Sequence, residues 1–157
     1  PRGDPPATEM GDMGEWNVGQ LARDRWGSEA MLVGFSTYHG TVTAASEWDG
    51  AATRKRVRPG LDGSYEDLFH RTGEERFWLP LRGNAALAEL LRERRLQRAI
   101  GVIYLPQSER MSHYFHTRLP AQFDAMIHID ETRALEPLVP EPEWHAGEPP
   151  ETYPSGL

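Results

Sequence analysis

The sequence predicts an α/β domain, a layered sheet with flanking helices, and three observations predict it. Residues 30–35 and 125–129 are short, continuously apolar runs of the kind that form buried strands. Helical periodicity recurs between strand-like segments, most plainly over residues 85–94. Gly, Pro, Asn and Asp punctuate the boundaries, so helices and strands alternate as in a layered fold. At 157 residues the chain has the length of one domain.

In chain order, residues 1–14 are Gly/Pro-rich without apolar periodicity and read as a loop or an arm that packs onto something else. Residues 15–26 form the first helix, with Asn17 as N-cap, an apolar stripe of Val18, Leu21, Ala22 and Trp26, and Gly27 as the stop. Residues 30–35 are expected as a central strand and 41–45 as a weaker one, with a hairpin between them possible. Residues 53–57, rich in Arg and Lys, suit an exposed edge strand. Ser64 caps the next helix and Gly73 ends it; residues 77–79 make a short strand cut by Pro80. Asn84 then caps a helix expected over 85–94, with Leu87, Ala88, Leu90 and Leu91 towards the core. Residues 99–104 read as a buried strand, 125–129 as another, and 131–138 as its continuation. Residues 139–157, rich in Pro and Glu, read as a tail outside the core. The organisation expected is thus an arm (1–14), a main region (15–138) and a tail (139–157).

Charge and composition narrow the function classes. The net charge is −7, and residues 130–157 hold −6 of it, leaving the rest near neutral. The clusters Arg54, Lys55, Arg56, Arg58 and Arg92, Arg94, Arg95, Arg98 have acids close by, which argues for solvated surface and against nucleic acid. No run is apolar enough for a membrane span. The absence of cysteine excludes disulfides and thiolate ligands, and it fits a cytoplasmic location.

Candidate chemistry concentrates in residues 112–130. His113 and His116 stand three apart, which places both on one face of a helical turn. One imidazole near a carboxylate suffices for acid–base work, whereas a metal needs a third ligand. Half-exposed surface histidines are the plain alternative. His128 is expected as a buried neutral imidazole bonded to backbone; Asp130, at the strand's end, suits either orienting an imidazole or a solvated cap. Residues 35–43, with Tyr38, His39, Thr41 and Thr43 between Gly34 and Gly40, suit a pocket wall or a plain connection. No phosphate-binding glycine loop, G-x-S-x-G elbow or paired C-x-x-C is present.

Longer stretches carry a resemblance. ATEMGDMGEWNVGQLARDRWG, LVGFSTYHGTVTAASEWDG with RKRVRPG, SYEDLFH, and RAIGVIYLPQSERMSHYFHTRLPAQFDAMIHIDETRALEPL together resemble the C-terminal portion of the erythromycin-esterase-like family, over most of residues 7–138. The resemblance implies an incomplete part of a larger α/β hydrolytic domain. It implies hydrolysis of an ester or lactone by histidine- and carboxylate-assisted water attack, without cofactor or metal, and a role in macrolide resistance. Family members are longer. Their principal histidines and glutamates lie in the N-terminal part, including a His-Asn-x-His segment whose place here is taken by the histidine-free residues 1–6. Within this chain His113 is the expected catalytic contact, with Phe35, Tyr38, Thr41, Tyr114 and His116 lining the substrate. The expected partners are a small-molecule ester or lactone and the missing N-terminal half; the chain alone is expected to be weak or inactive. Two alternatives stand beside this reading. One is a non-catalytic binding or assembly module for a separate N-terminal half, and the other a metal-dependent hydrolase using His113 and His116.

Overall fold

The computed structural model describes residues 7–138 and 142–147. Helices α1 (Glu9–Asp12) and α2 (Val18–Trp26) lead into β1 (Val33–Ser36), β2 (His39–Ala44) and β3 (Thr53–Val57). Then come α3 (Tyr65–His70), β4 (Arg76–Pro80), α4 (Ala85–Leu90) and β5 (Arg95–Arg98). The last part holds α5 (Glu109–Ser112), β6 (Tyr114–Thr117), α6 (Leu119–Gln122), β7 (Ala125–Ile129), β8 (Glu131–Thr132) and α7 (Pro142–Ala146). The mixed α/β class is as expected, but the strands form three small sheets: β1-β7-β4, β3-β2-β8 and β5-β6.

Local chemistry explains the helix starts. Asn17, Ser64 and Asn84 each accept N–H bonds from the first turn of α2, α3 and α4. Gly27 ends α2 with a positive φ of 51°, and Gly73 follows α3 with 76°. β1 runs parallel to β7, and β4 antiparallel to it, so β7 is the central strand. β8 follows β7 directly and pairs parallel with β2, so one extended stretch of chain joins two sheets. Gly40, with φ +124°, lets β2 approach that stretch: a Cβ there would stand 2.1 Å from the Thr132 carbonyl. The main core packs Tyr65, Phe69, Leu81, Leu91, Leu119, Phe123 and Met126 between α3, α4, α6 and β7.

Several expectations are corrected. β1 is an edge strand, not a central one, and it forms no hairpin with β2. α4 stops at Leu90, four residues early, and Leu90 points to solvent. The arginine-rich residues that follow are instead taken by β5, paired antiparallel with β6. Residues 99–104 form no strand; a single bridge, Ala45 to Ile103, is all that remains of it. His113 and His116 do not share a helical face, because α5 ends at Ser112 and Tyr114–Thr117, aromatic and β-branched, extends as β6. The apolar stripe of α2 is exposed at Val18, Leu21 and Trp26, nothing among the described residues covering it. In β3 Lys55 points inward, donating to Ser46 Oγ at 2.6 Å and the Tyr104 carbonyl at 2.9 Å.

At the N-terminus Ala7 and Thr8 are buried, and the Ala7 carbonyl accepts from the Thr117 hydroxyl and the Arg118 N–H. Residues 1–6 lie outside the described residues. Of the expected tail only 142–147 is described; there Trp144 donates to Thr43 Oγ1 at 2.9 Å, while Tyr153 lies outside the described residues.

Asp124 ties the first sheet together. Its Oδ2 accepts from the Leu32 N–H (2.6 Å) and Arg23 (2.8 Å), and its Oδ1 from Arg82 Nε (2.7 Å). Burial opposes this charge, but the Leu32 N–H and the two guanidinium groups outweigh it and hold the carboxyl below its ordinary pKa. Asp124→Asn is expected to lower unfolding stability by about 2–3 kcal/mol at neutral pH, measured by urea denaturation. A depressed folded pKa stabilises above the ordinary carboxylate range and loses that contribution as pH falls through it, so the two proteins should converge in acid.

Candidate functional site

The C-terminal ends of the parallel strands β1 and β7 open onto a hollow of about 410 Å³. That is where open α/β sheets place ligands. Phe35, Ser36, Thr41, Ile100, Ile129 and Leu135 line it, together with two buried charged residues, Glu66 and Arg98.

Arg98, at the end of β5, frames the hollow. One guanidinium nitrogen donates to the Arg58 carbonyl (2.8 Å) and Glu109 Oε1 (2.9 Å). The other donates to the carbonyls of Thr37 (2.7 Å) and Tyr38 (2.8 Å), which fixes the β1–β2 turn. Glu109 is held in turn by the Tyr104 hydroxyl at 2.6 Å, whose pKa burial and this carboxylate raise.

Glu66 enters from the first turn of α3. Its residue is 1% exposed, Oε1 accepts from the Arg98 main-chain N–H at 3.1 Å, and Oε2 is buried with no hydrogen-bond partner among the described residues. Burial pushes its pKa up to about 7 against the opposing pull of Arg98. A carboxyl of that kind can give or take a proton near neutrality.

A second constellation abuts the hollow. Ser36 and His128 are register partners across β1 and β7, with Oγ 3.0 Å from Nδ1. His128 Nε2 lies 3.3 Å from Asp130 Oδ1, and Asp130 also receives His70 Nδ1 at 2.9 Å. The Tyr38 ring stacks on His70 at 3.7 Å and 4°. His128 is buried as expected, yet its partners are side chains rather than backbone, and burial between the Phe69 and Phe77 rings lowers its pKa.

The residues singled out from sequence fall in different places. Phe35, 67% exposed, and Thr41 line the hollow. Tyr38 stands over His70 beside it. Tyr114 is buried, its hydroxyl accepting from the Leu61 N–H at 3.1 Å and its pKa pushed by burial to about 12. His116 faces Glu9, with Nδ1 3.3 Å from Oε2. His113 is buried behind the hollow: Nε2 accepts from the Leu105 N–H at 2.9 Å and the ring packs on Tyr104 at 5.1 Å. Among the described residues no group of three or more His, Asp or Glu is placed to hold a metal ion.

Sequence reasoning missed Ser36, Glu66, His70 and Arg98. Glu66 was visible only as an acid of a capped helix start, and Arg98 only as one of several arginines. The i, i+2 spacing of His128 and Asp130, the latter just past the end of β7, was the available signal for the second constellation.

Comparison with known proteins gives this geometry a context. The family model described as erythromycin esterase matches residues 3–132. The chain belongs to the erythromycin esterase family. A crystal structure of a succinoglycan biosynthesis protein is similar over 75% of this chain, with TM-score 0.63 and 24% identity. A crystal structure of a Bacillus cereus protein is similar over 73%, with TM-score 0.61 and 20% identity. These likenesses concern the fold. This chain spans 28% of the length of each of those two proteins. Among the described residues no helix is long and apolar enough to cross a membrane.

The raised pKa of Glu66 makes stability pH-dependent. The contribution of Glu66 is fully present below the ordinary glutamate pKa and falls by up to roughly 3 kcal/mol as pH rises through about 7, because the folded state resists ionisation of this group. Glu66→Gln is expected to remove most of that fall, seen as a smaller difference between urea midpoints at pH 5 and pH 8.

Proposed function

We propose that this chain supplies one wall of a cleft that hydrolyses an ester or lactone by water attack on the carbonyl. The remaining reactive groups come from polypeptide outside the sequence. The observation that carries this reading is Glu66: a buried carboxyl with one oxygen unpartnered among the described residues, at an otherwise largely apolar hollow. A neutral carboxylic acid there can donate to the developing oxyanion, and its carboxylate can accept a proton from water. Family membership supports the hydrolytic class. Phe35 and Thr41 contact the substrate, and Tyr38 shapes the rim. His113, expected from sequence as the catalytic histidine, is assigned a positioning role through Tyr104, Glu109 and Arg98. Tyr114 supports the same frame, its ring lying 5.7 Å from the Arg98 guanidinium. The family's namesake substrates, macrolides, are the first lactones to try, and a resistance role follows if they are cleaved.

A second reading, a module that assembles with a separate N-terminal half, draws support from the exposed apolar stripe of α2 and the bare edge of β1. The two readings are compatible, since assembly would complete the cleft. Metal-dependent hydrolysis through His113 and His116 gains nothing from their divergent partners.

The test is an NMR titration with a macrocyclic lactone and an aryl ester. Signals of Phe35, Thr41, Ile100, Ile129 and Leu135 are expected to shift, and Phe35→Ala to bind about tenfold more weakly. No shifts, or shifts confined to another face, would overturn the reading. Turnover by this chain alone is expected to be weak or absent.

A further inference from the structure

We infer that the apolar groove between α3, β4 and α4 is a binding site for a monocarboxylate with an apolar body, its carboxylate held by Arg95. The groove encloses about 470 Å³ and shares no lining residue with the hollow at Glu66, so the inference stands apart from the hydrolytic reading.

Three elements make the groove apolar. α3 contributes Leu68 and Phe69, β4 Phe77 and Trp78, and α4 Leu87 and Leu90. Phe69 belongs to the main core, whereas Trp78 and Leu90 are 49% and 74% exposed. β4 is an edge strand, so no further strand among the described residues covers Trp78. Apolar side chains left in water around a concave volume favour an apolar occupant, and this volume lies within the roughly 300–1,000 Å³ of small-molecule sites.

Arg95 sets the chemistry of the ligand's polar end. It is the one cationic residue that lines the groove among the described residues. Its Nε is buried with no hydrogen-bond partner among the described residues, and only Nη2 meets an acceptor, Glu93 Oε2 at 3.3 Å. The Glu93 side chain is 69% exposed, so solvent screens that pair. A buried N–H without an acceptor is costly, and a guanidinium takes a carboxylate on two N–H groups at once. The hydroxyl in the lining, that of Thr72, is already spent: it donates to the Phe69 carbonyl at 2.7 Å and accepts from the Glu74 N–H at 3.2 Å.

Glu74 gives the groove a direction. Tyr65, at the start of α3, donates to the carbonyls of Leu91 and Glu93 and feels the charge of Arg95, so Arg95 sits at that end of the helix. Glu74 follows the other end. A ligand with one carboxylate lies with that end at Arg95, whereas a second carboxylate at the far end would face Glu74 and be repelled.

The 157-residue chain is titrated with octanoate, 1-octanol and octanedioate and followed by NMR. Octanoate is expected to shift the Trp78 indole and the methyl signals of Leu68, Leu87 and Leu90, and to bind about tenfold more tightly than either other probe. Arg95→Gln of unchanged circular dichroism should bind octanoate and 1-octanol equally. Leu90→Glu, a change at an exposed position, keeps the test decisive if the first variant fails to fold; it adds an acid to the groove and should weaken octanoate about tenfold. No shift at these residues, equal affinity for octanoate and either other probe, a preference that survives Arg95→Gln, or undiminished binding in Leu90→Glu would each overturn the inference. Shifts confined to Phe35 and Thr41 would overturn it too, and would leave the hydrolytic reading standing. Movement of the groove signals on dilution of the protein alone would reveal a second copy seated there, and would likewise overturn it.

Discussion

The guanidinium of Arg98 is the constraint on which the site's geometry depends. It is buried, and its two terminal nitrogens are spent on three main-chain carbonyls and one carboxylate drawn from three separate parts of the chain. A planar, permanently charged fork suits this task, because carbonyl oxygens arriving from different directions each need a donor of fixed orientation. Removing it would leave the Glu109 carboxylate buried without its cation and the Thr37 and Tyr38 carbonyls without these donors. The main-chain N–H of the same residue holds Glu66, so one position sets both the frame and the acid of the hollow.

The burial of Glu66 and the burial of Asp124 have opposite electrostatic outcomes. Asp124 receives two guanidinium groups and a backbone N–H, and its charge is favoured. On Glu66 the opposing pulls of Arg98, the Glu66 main-chain N–H and the Ser64 hydroxyl do not offset burial, and the Arg98 guanidinium is engaged with Glu109. The first carboxylate is a structural tie and the second a group whose proton is readily exchanged. Hydrogen-bond supply separates them, not depth alone.

Much of this fold was legible locally. Asn17, Ser64 and Asn84 announced three helices, and the apolar runs at 30–35 and 125–129 became the paired strands β1 and β7. Where the reading failed, polar burial overrode apolar pattern. Residues 99–104 looked like a strand, but the ladder formed one step earlier, at Arg95–Arg98, because Arg98 has its partners inside. His113 and His116 suggested a helical face, whereas their side chains turned to Leu105 and Glu9. Ser36 and His128 are 92 residues apart, and only the parallel register brings them together. No spacing rule within a single segment reaches that far.

The passage of β7 into β8 has a mechanical consequence. One stretch of backbone hydrogen-bonds to β1 and β4 at its start and to β2 at its end, with Asp130 at the crossing. The two sheets are thereby joined through one continuous stretch of backbone. A displacement of β7 is therefore carried through Asp130 into β8 and its partner β2.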